Sequence, residues 1–401
     1  MSGSRRKALW RALPTPLQDA VSLAVARAQG ERIPPPPSPA RRRVRLMIAP
    51  ANFAGQGYRW ARAVERNPDV AAMNMVLESI NTFRYPADNP VPGRIGAHSR
   101  TWQRRQLRAL TSEFTHMLVE SEMRPLGSAY GKDIRAQLRA IQAGGVRLGM
   151  ICHGTDVRLP SRHAAQEPMS PFVDDSWVPV AELEKVVLAN HELLAELGVP
   201  VFVTTPGLLL DLPDAHLLPV VIDDERWAGE VTRLERERLV VAHVPSNPVV
   251  KGTAAIEEVM RRLDAEGIVE YRAITGVSHD EMPRVIREAD VVLDQFRLGD
   301  YGVAACESMA AGRLVVSHVD PGARQVVREL SGLPLPVVEA TVDTLESVLR
   351  SIVERRGEYR EMAAAGPEFV ARTHEGTLSR DVLERHFLFA PHHQSGSERR
   401  G

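Results

Sequence analysis

Cysteine and lysine are both scarce in this chain. Its 401 residues hold two cysteines, Cys152 and Cys306, each inside an apolar stretch. Two thiols so placed argue against a disulfide framework and fit a reducing cytoplasm. Four lysines (Lys7, Lys132, Lys185 and Lys251) stand against 46 arginines. Arginine is the default cation here, so a lysine near a phosphate-type loop is informative: a point charge on a flexible stem suits phosphate. A net charge of -1 gives no bulk attraction to nucleic acid. The longest apolar runs fall short of the roughly 18 residues that a membrane span needs. The opening Met1-Ser-Gly-Ser-Arg-Arg-Lys leads into an interrupted apolar pattern without a small-residue cleavage site, so no signal peptide is expected. The 13 histidines show no metal-ligand spacing with the cysteines, and neither a Gly-x-Ser-x-Gly elbow nor a Walker loop occurs.

What is present is an alternation of short apolar runs with helical stretches over a length that suits two domains. Residues 1–43 differ from the rest. Arg5 to Arg27 reads as a basic amphipathic helix with Trp10, Leu13, Leu17, Val21 and Val25, broken near Pro14 and Pro16. A stiff Pro34-Pro-Pro-Pro-Ser-Pro spacer and Arg41-Arg-Arg follow. This arm is either a membrane-surface or partner-docking element, or a helix packed on the body or loosely held. The second reading is preferred, because termini are usually loosely held.

From Val44 the pattern predicts strands at Val44–Ala49, Ala72–Leu77, Thr115–Val119, Val146–Cys152 and Val201–Thr205, with helices such as Tyr130–Ala143 and Val180–Leu197 between them. Such alternation means a parallel sheet covered on both faces. Ala215 to Asp223 reads as the crossing between domains. A second alternation begins at Arg238 and continues through Val269, Val291 and Leu314, and a helix at Thr377–Phe387 precedes a polar tail. The expected division is 1–43 arm and linker, 44–215 first domain, 216–370 second domain, 371–390 a returning helix, and 391–401 a disordered tail.

The chemistry concentrates between His243 and His318. Ser246 and Asn247 precede Lys251-Gly252-Thr253, where a helix is expected to open. Gly299-Asp-Tyr301-Gly302-Val-Ala-Ala-Cys-Glu307 puts small residues and one carboxylate at a second strand-to-helix turn. Bare backbone N–H groups at a helix N-terminus attract phosphate, and a carboxylate accepts from ribose hydroxyls. Glu307 lies in small and apolar surroundings, so it must find a partner. Gly55-Gln-Gly57 follows the first strand, and His153-Gly-Thr-Asp156 closes a later one. Asp156 could serve only its own turn. The acid pairs Asp174-Asp175 and Asp223-Asp224 read as surface turns.

These motifs resemble the nucleotide-sugar half of a GT-B glycosyltransferase of the retaining family 4 type. The resemblance covers about residues 44–390 and is closest over 243–318. It implies an α/β protein of two Rossmann-like domains facing across a cleft, with a C-terminal helix crossing back to the first domain. It implies transfer of a sugar from a nucleoside diphosphate sugar, UDP or GDP being the expected base, to an acceptor hydroxyl with retention. In that reading Lys251, Ser246, Gly252, Tyr301, Gly302 and Glu307 bind the nucleotide sugar, with Gly55 and Gly57 approaching it from the first domain. His153 faces the transferred sugar. No metal or other cofactor is implied. The acceptor would be a glycan, a lipid-linked molecule or a small molecule, with possible membrane contact through the arm.

Two departures stand out. The family's Arg six residues before the lysine is Pro245 here, and its Glu eight residues before Glu307 is Gly299. A non-catalytic sugar-nucleotide binder, or an epimerase or hydrolase on the same fold, therefore stays open as the alternative.

Overall fold

The structure is a computed structural model that describes residues 14–79, 85–245, 247–278 and 280–391. The expectations for Ser246, the first part of the N-terminal arm and the tail from His392 lie outside the described residues.

Two parallel sheets form. The first contains β1 (Val44–Ala49), β2 (Val70–Leu77), β3 (Asn89–Val91), β4 (His116–Glu120), β5 (Arg147–Cys152), β6 (Val201–Val203) and β7 (His216–Leu217). Their spatial order is β3-β2-β1-β4-β5-β6-β7. The second contains β8 (Leu239–His243), β9 (Val269–Ala273), β10 (Val291–Leu293), β11 (Leu314–Ser317) and β12 (Val337–Glu339), in the order β12-β11-β10-β8-β9.

The central strands are mostly apolar because both faces are covered, whereas edge strand β9 carries the half-exposed Glu270 and Arg272. In β1, Val44, Leu46 and Ile48 enter one core cluster while Met47 and Ala49 enter another on the opposite face. In β8, Leu239 and Val241 separate from Val240 and Ala242 in the same way. A period of two with no polar face is the pattern of a parallel sheet under helices on both sides. Each fully buried Leu or Ile contributes about 1.5–3 kcal/mol.

In each sheet the first strand has neighbours reached by connections running in opposite directions. In the first sheet the reversal lies between β1 and β4, and in the second between β8 and β10. Ligands of open α/β sheets bind beyond the carboxyl ends of strands at such reversals, because the loops diverge there. Gly55, Gly57 and Glu120 lie at the first reversal; Lys251 and Asp294 lie at the second.

The chain crosses between domains at residues 218–223, and this stretch is stitched from both sides. The Gln56 side chain accepts from Val221 N at 2.6 Å and donates to Val221 O at 3.1 Å. Trp60 Nε1 donates to Pro219 O at 2.9 Å, and Ile222 N donates to His374 O at 2.7 Å. After the helix Arg356–Thr373 the chain returns: Val382, Leu383 and Phe387 join the first-domain cluster that holds Leu46 and Ile48.

Two local differences from expectation have clear causes. The helix predicted over Tyr130–Ala143 begins only at Ile134. Tyr130 and Gly131 have φ of 53° and 67°, and Asp133 caps the helix by accepting from Arg135 N and Ala136 N. Lys251 does not open its helix. It ends a single turn, Pro248–Lys251, that Asn247 caps; Gly252, at φ 77°, then redirects the chain into Thr253–Ala265. The N-terminal helix Thr15–Ala28 rests on the first domain through Ala26 and an Asp19–His98 contact of 2.9 Å, leaving Leu17, Val21 and Val25 exposed.

Candidate functional site

The second domain supplies a lysine held in place by a carboxylate. His243, at the end of β8, bonds Leu293 O through Nδ1 (3.0 Å) and Thr253 Oγ1 through Nε2 (2.9 Å), fixing the strand end to the helix start. Burial lowers its pKa, which keeps it neutral in that role. Between these anchors Lys251 is buried and ion-paired with Asp294, at the end of β10. A Cβ built on Gly302 would lie 4.0 Å from Lys251 Nζ. The ammonium therefore faces the start of the helix Val303–Ala310, whose first-turn N–H groups carry partial positive charge.

Glu307 lies on that helix and is 9% exposed. Burial pushes its pKa up to about 7; Arg59, Arg226 and Lys251 pull it down, and Asp294 pushes it up. Arg59 comes from the first-domain helix Gln56–Val64 and donates to Val221 O at 3.3 Å. Arg226 is also bonded to Asp280 at 3.0 Å. Glu307 and Asp294 line a cavity of about 370 Å³ whose walls include Pro245, Ile274 and Met282, with Ala54 and Tyr85 from the first domain. The slot is mostly apolar and carries two carboxylates, of which Asp294 is committed to Lys251 and Glu307 is not.

A second cavity of about 200 Å³ shares Ala54 and Val303 with the first. His153, Phe53 and Gln56 line it from the first domain, and Tyr301, Gly302 and His374 from the second. Gly55, at φ 75°, leaves 3.1 Å between its would-be Cβ and the Tyr85 ring, and a Cβ on Gly57 would meet Asn74 Nδ2 at 2.7 Å. Both positions thus need glycine for close packing. Asp156 makes the local turn: it accepts from His153 N (2.8 Å) and Gly154 N (2.6 Å). The His153 ring is left to the cavity, edge-on to Phe53 at 5.1 Å and 6.0 Å from Trp60. Tyr301 is spoken for, since its hydroxyl pairs with His374 Nε2 at 3.3 Å, and its ring is what borders the cavity.

One face of the cleft is clasped. Arg158 donates to Asp300 at 2.8 Å, and both side chains are almost fully buried. Asp300 also accepts from Gly207 N at 3.0 Å. Glu167 pairs with His318 at 3.0 Å, and Arg297 donates to Met169 O and Ser170 O at 2.6 and 2.8 Å.

Of the predicted residues, His153, Tyr301 and Gly302 line the smaller cavity and Glu307 the larger; Lys251 faces Gly302 from behind the wall, and Gly55, Gly57 and Gly252 line neither cavity. Sequence reasoning missed Asp294, Arg59 and Glu120. Asp294 and Glu120 had a signal: each is a carboxylate ending an apolar strand run beside a reversal of strand order. Arg59 had none, because an arginine in a helix is ordinary in this composition. Glu122, Cys152 and Asp156 place ligand atoms within 4.8 Å of one another. Their own contacts account for the grouping: the Cys152 thiol donates to Glu122 at 3.2 Å. Burial, then Asp156, pushes Glu122 up to about 8. Asp174 and Asp175 accept from Ser176 N and Val180 N as surface turns, and Asp223 caps the turn Asp224–Trp227.

No protein-family model matches the chain, and no curated protein matches it by sequence. Solved structures do match in fold. Sucrose-phosphate synthase from Thermosynechococcus elongatus aligns with a TM-score of 0.53 at 13% identity, over 85% of this chain and 97% of that one. The catalytic domain of starch synthase IV from Arabidopsis thaliana, bound to ADP and acarbose, gives 0.52 at 10% identity, covering 86% and 100%. HepE from Anabaena, in complex with UDP and glucose, gives 0.51 at 12% identity, covering 86% and 99%. The likeness spans both sheets and shows the fold: two Rossmann-like domains in the GT-B arrangement.

Proposed function

We propose that this chain transfers a sugar from a nucleoside diphosphate sugar to an acceptor hydroxyl. The observation that carries the reading is the pairing of Glu307 in the wall of the 370 Å³ cavity with Lys251 facing the Gly302 turn beside it. A ribose binder and a diphosphate binder stand next to each other at a reversal of strand order. That HepE and starch synthase IV, similar in fold, have been seen with UDP and with ADP supports the choice of ligand class.

In this reading the ionised Glu307 accepts from the ribose hydroxyls. Lys251 and the backbone N–H groups after Gly252 and Gly302 hold the diphosphate, and neutralise the charge that grows on it as the glycosidic bond breaks. Arg59, from the opposite domain, adds a second positive charge on the Glu307 side of the site. Protein cations and helix N-termini supply the positive charge, and no metal is invoked. His153 meets a hydroxyl of the transferred sugar in the smaller cavity, while Gly55 and Gly57 let the loop after β1 pack closely behind it. The leaving diphosphate takes the acceptor's proton on the face it leaves, which retains the anomeric configuration without a protein nucleophile. UDP-sugars are the first donors to test, with GDP- and ADP-sugars beside them. The acceptor is a glycan, a lipid-linked molecule or a small molecule, and the exposed Leu17, Val21 and Val25 stripe offers it a membrane-side approach. Among the described residues no helix is long and apolar enough to cross a membrane.

The test is release of nucleoside diphosphate from UDP-glucose, GDP-mannose and ADP-glucose, followed by NMR of the anomeric proton in any glycoside formed. Slow hydrolysis of one conjugate, lost in Lys251→Ala, supports a transferase. Tight nucleotide binding with every conjugate intact would favour the non-catalytic reading.

A further inference from the structure

Glu120 ends β4 and is 0% exposed, yet neither of its carboxylate oxygens has a hydrogen-bond partner among the described residues. A buried carboxylate without a partner is costly, and natural proteins keep one where it has work to do. His153 stands beside it: Nε2 lies 3.7 Å from Glu120 Oε1, beyond hydrogen-bond distance, and is also buried without a partner. The other oxygen lies under the turn after β1: a Cβ on Gly57 would come within 3.3 Å of Oε2. Asn74, which borders the same space, is committed elsewhere, its Nδ2 donating to Ile48 O and Ala51 O at 3.4 and 3.2 Å. The asymmetry of the His153 ring follows. Nε2 points into the protein toward Glu120, so Nδ1 is the nitrogen available to the cavity that His153 lines. Phe53 and Trp60 fix the ring plane from the neighbouring loop and helix.

We infer that Glu120 is a positioning residue for His153: facing Nε2 across 3.7 Å, it draws the ring proton to that nitrogen and thereby selects the tautomer in which Nδ1 is a bare acceptor for a sugar hydroxyl. Each ring nitrogen then has a distinct job, set by what the other faces. A carboxylate behind a histidine is a recurring way of fixing a tautomer, and it acts through the ring without touching substrate. The inference rests on the transferase reading for its purpose, but the tautomer itself can be read with no nucleotide present.

The experiment is long-range ¹H–¹⁵N correlation of the histidine rings in the full chain at neutral pH, with His153 identified by its loss in His153→Gln. The wild-type ring is expected protonated at Nε2 alone. Glu120→Gln should preserve this, because the amide oxygen still faces Nε2; Glu120→Ala should give a mixed ring. In parallel, UDP affinity should be unchanged in both variants. The rate of UDP-glucose hydrolysis at saturation should fall on the order of tenfold or more in Glu120→Ala and recover in Glu120→Gln. A wild-type ring protonated at Nδ1, or a ring whose state ignores both substitutions, overturns the inference. If Glu120→Ala does not fold, the wild-type spectrum and Glu120→Gln still decide. If the chain hydrolyses no donor yet the tautomer behaves as stated, the transferase reading fails and the Glu120–His153 link stands.

Discussion

Gly299 of the second domain and Glu167 of the first compete for one space: a Cβ built on Gly299 would lie 2.6 Å from Glu167 Oε1. The family that the sequence resembles has a glutamate at this position, and here the first domain fills the space with its own carboxylate. That carboxylate is held by His318, and the next residue along, Asp300, is bound to Arg158. The departure is thus part of an interdomain clasp rather than a simple deletion.

Restoring the family residue should therefore harm the protein. Gly299→Glu meets Glu167 and must adopt φ of 65°, a conformation unfavourable for a side chain. A loss of about 1–3 kcal/mol is expected, read as a lowered melting temperature. Removing the obstruction as well, in Gly299→Glu/Glu167→Gly, should return only part of it, because the backbone strain remains and His318 loses a partner.

The clasp should also weaken in alkali. Bonding to Glu167, then to Glu339, pushes His318 up from 6.5 to about 10. A raised pKa means the native state holds the proton more tightly. The stabilisation is complete below the unfolded value of 6.5 and is lost as pH rises toward 10. Thermal unfolding across this window should show stability falling with pH, with a smaller slope in His318→Gln. Equal slopes would mean the pair contributes nothing.

Lys251 and Asp294 should separate stability from binding. Lys251→Met leaves Asp294 as an uncompensated buried charge, a loss of about 3–5 kcal/mol. Adding Asp294→Asn should restore most of that stability while leaving nucleotide affinity low, because the cation facing Gly302 is gone. Calorimetry with UDP on both variants checks this; recovered affinity in the double variant would remove Lys251 from the phosphate site.

Glu307 makes binding pH-dependent. Its folded pKa of about 7 exceeds the ordinary carboxylic-acid value of 4.5, so its burial costs stability increasingly as pH rises from 4.5 to 7, and Glu307→Gln should relieve that cost above 7. In the proposed reading the ionised form is the one that accepts from both ribose hydroxyls. Nucleotide affinity should rise with pH through about 7 in the wild type and stay flat in Glu307→Gln.

The sequence revealed the parts of this molecule whose signals are local. Apolar runs such as Val44–Ala49 declare a doubly covered strand, and the small residues before Glu307 declare the helix start at Val303. The N-cap role of Asp133 was readable too, yet the helix was expected four residues early, because Tyr130 and Lys132 look helical and their positive φ values of 53° and 70° leave no mark in sequence. What was not legible is tertiary. Arg59 reaches Glu307, Glu120 reaches His153 and Glu167 reaches Gly299 only because two sheets bring distant residues together. Glu120 and Asp294 could have been suspected from a rule of strand ends; Arg59 and Glu167 could not.

The most direct test of the account is UDP binding by the purified chain and by Glu307→Ala, measured as a thermal shift with GDP, ADP and dTDP alongside. A ligand that binds the folded state raises its melting temperature. The account predicts one clear nucleotide response in the wild type, weakened by roughly ten- to hundredfold in affinity in Glu307→Ala, as loss of a charged hydrogen-bond acceptor implies. No response to any of the nucleotides at saturating concentration, or a response that Glu307→Ala leaves intact, would contradict it.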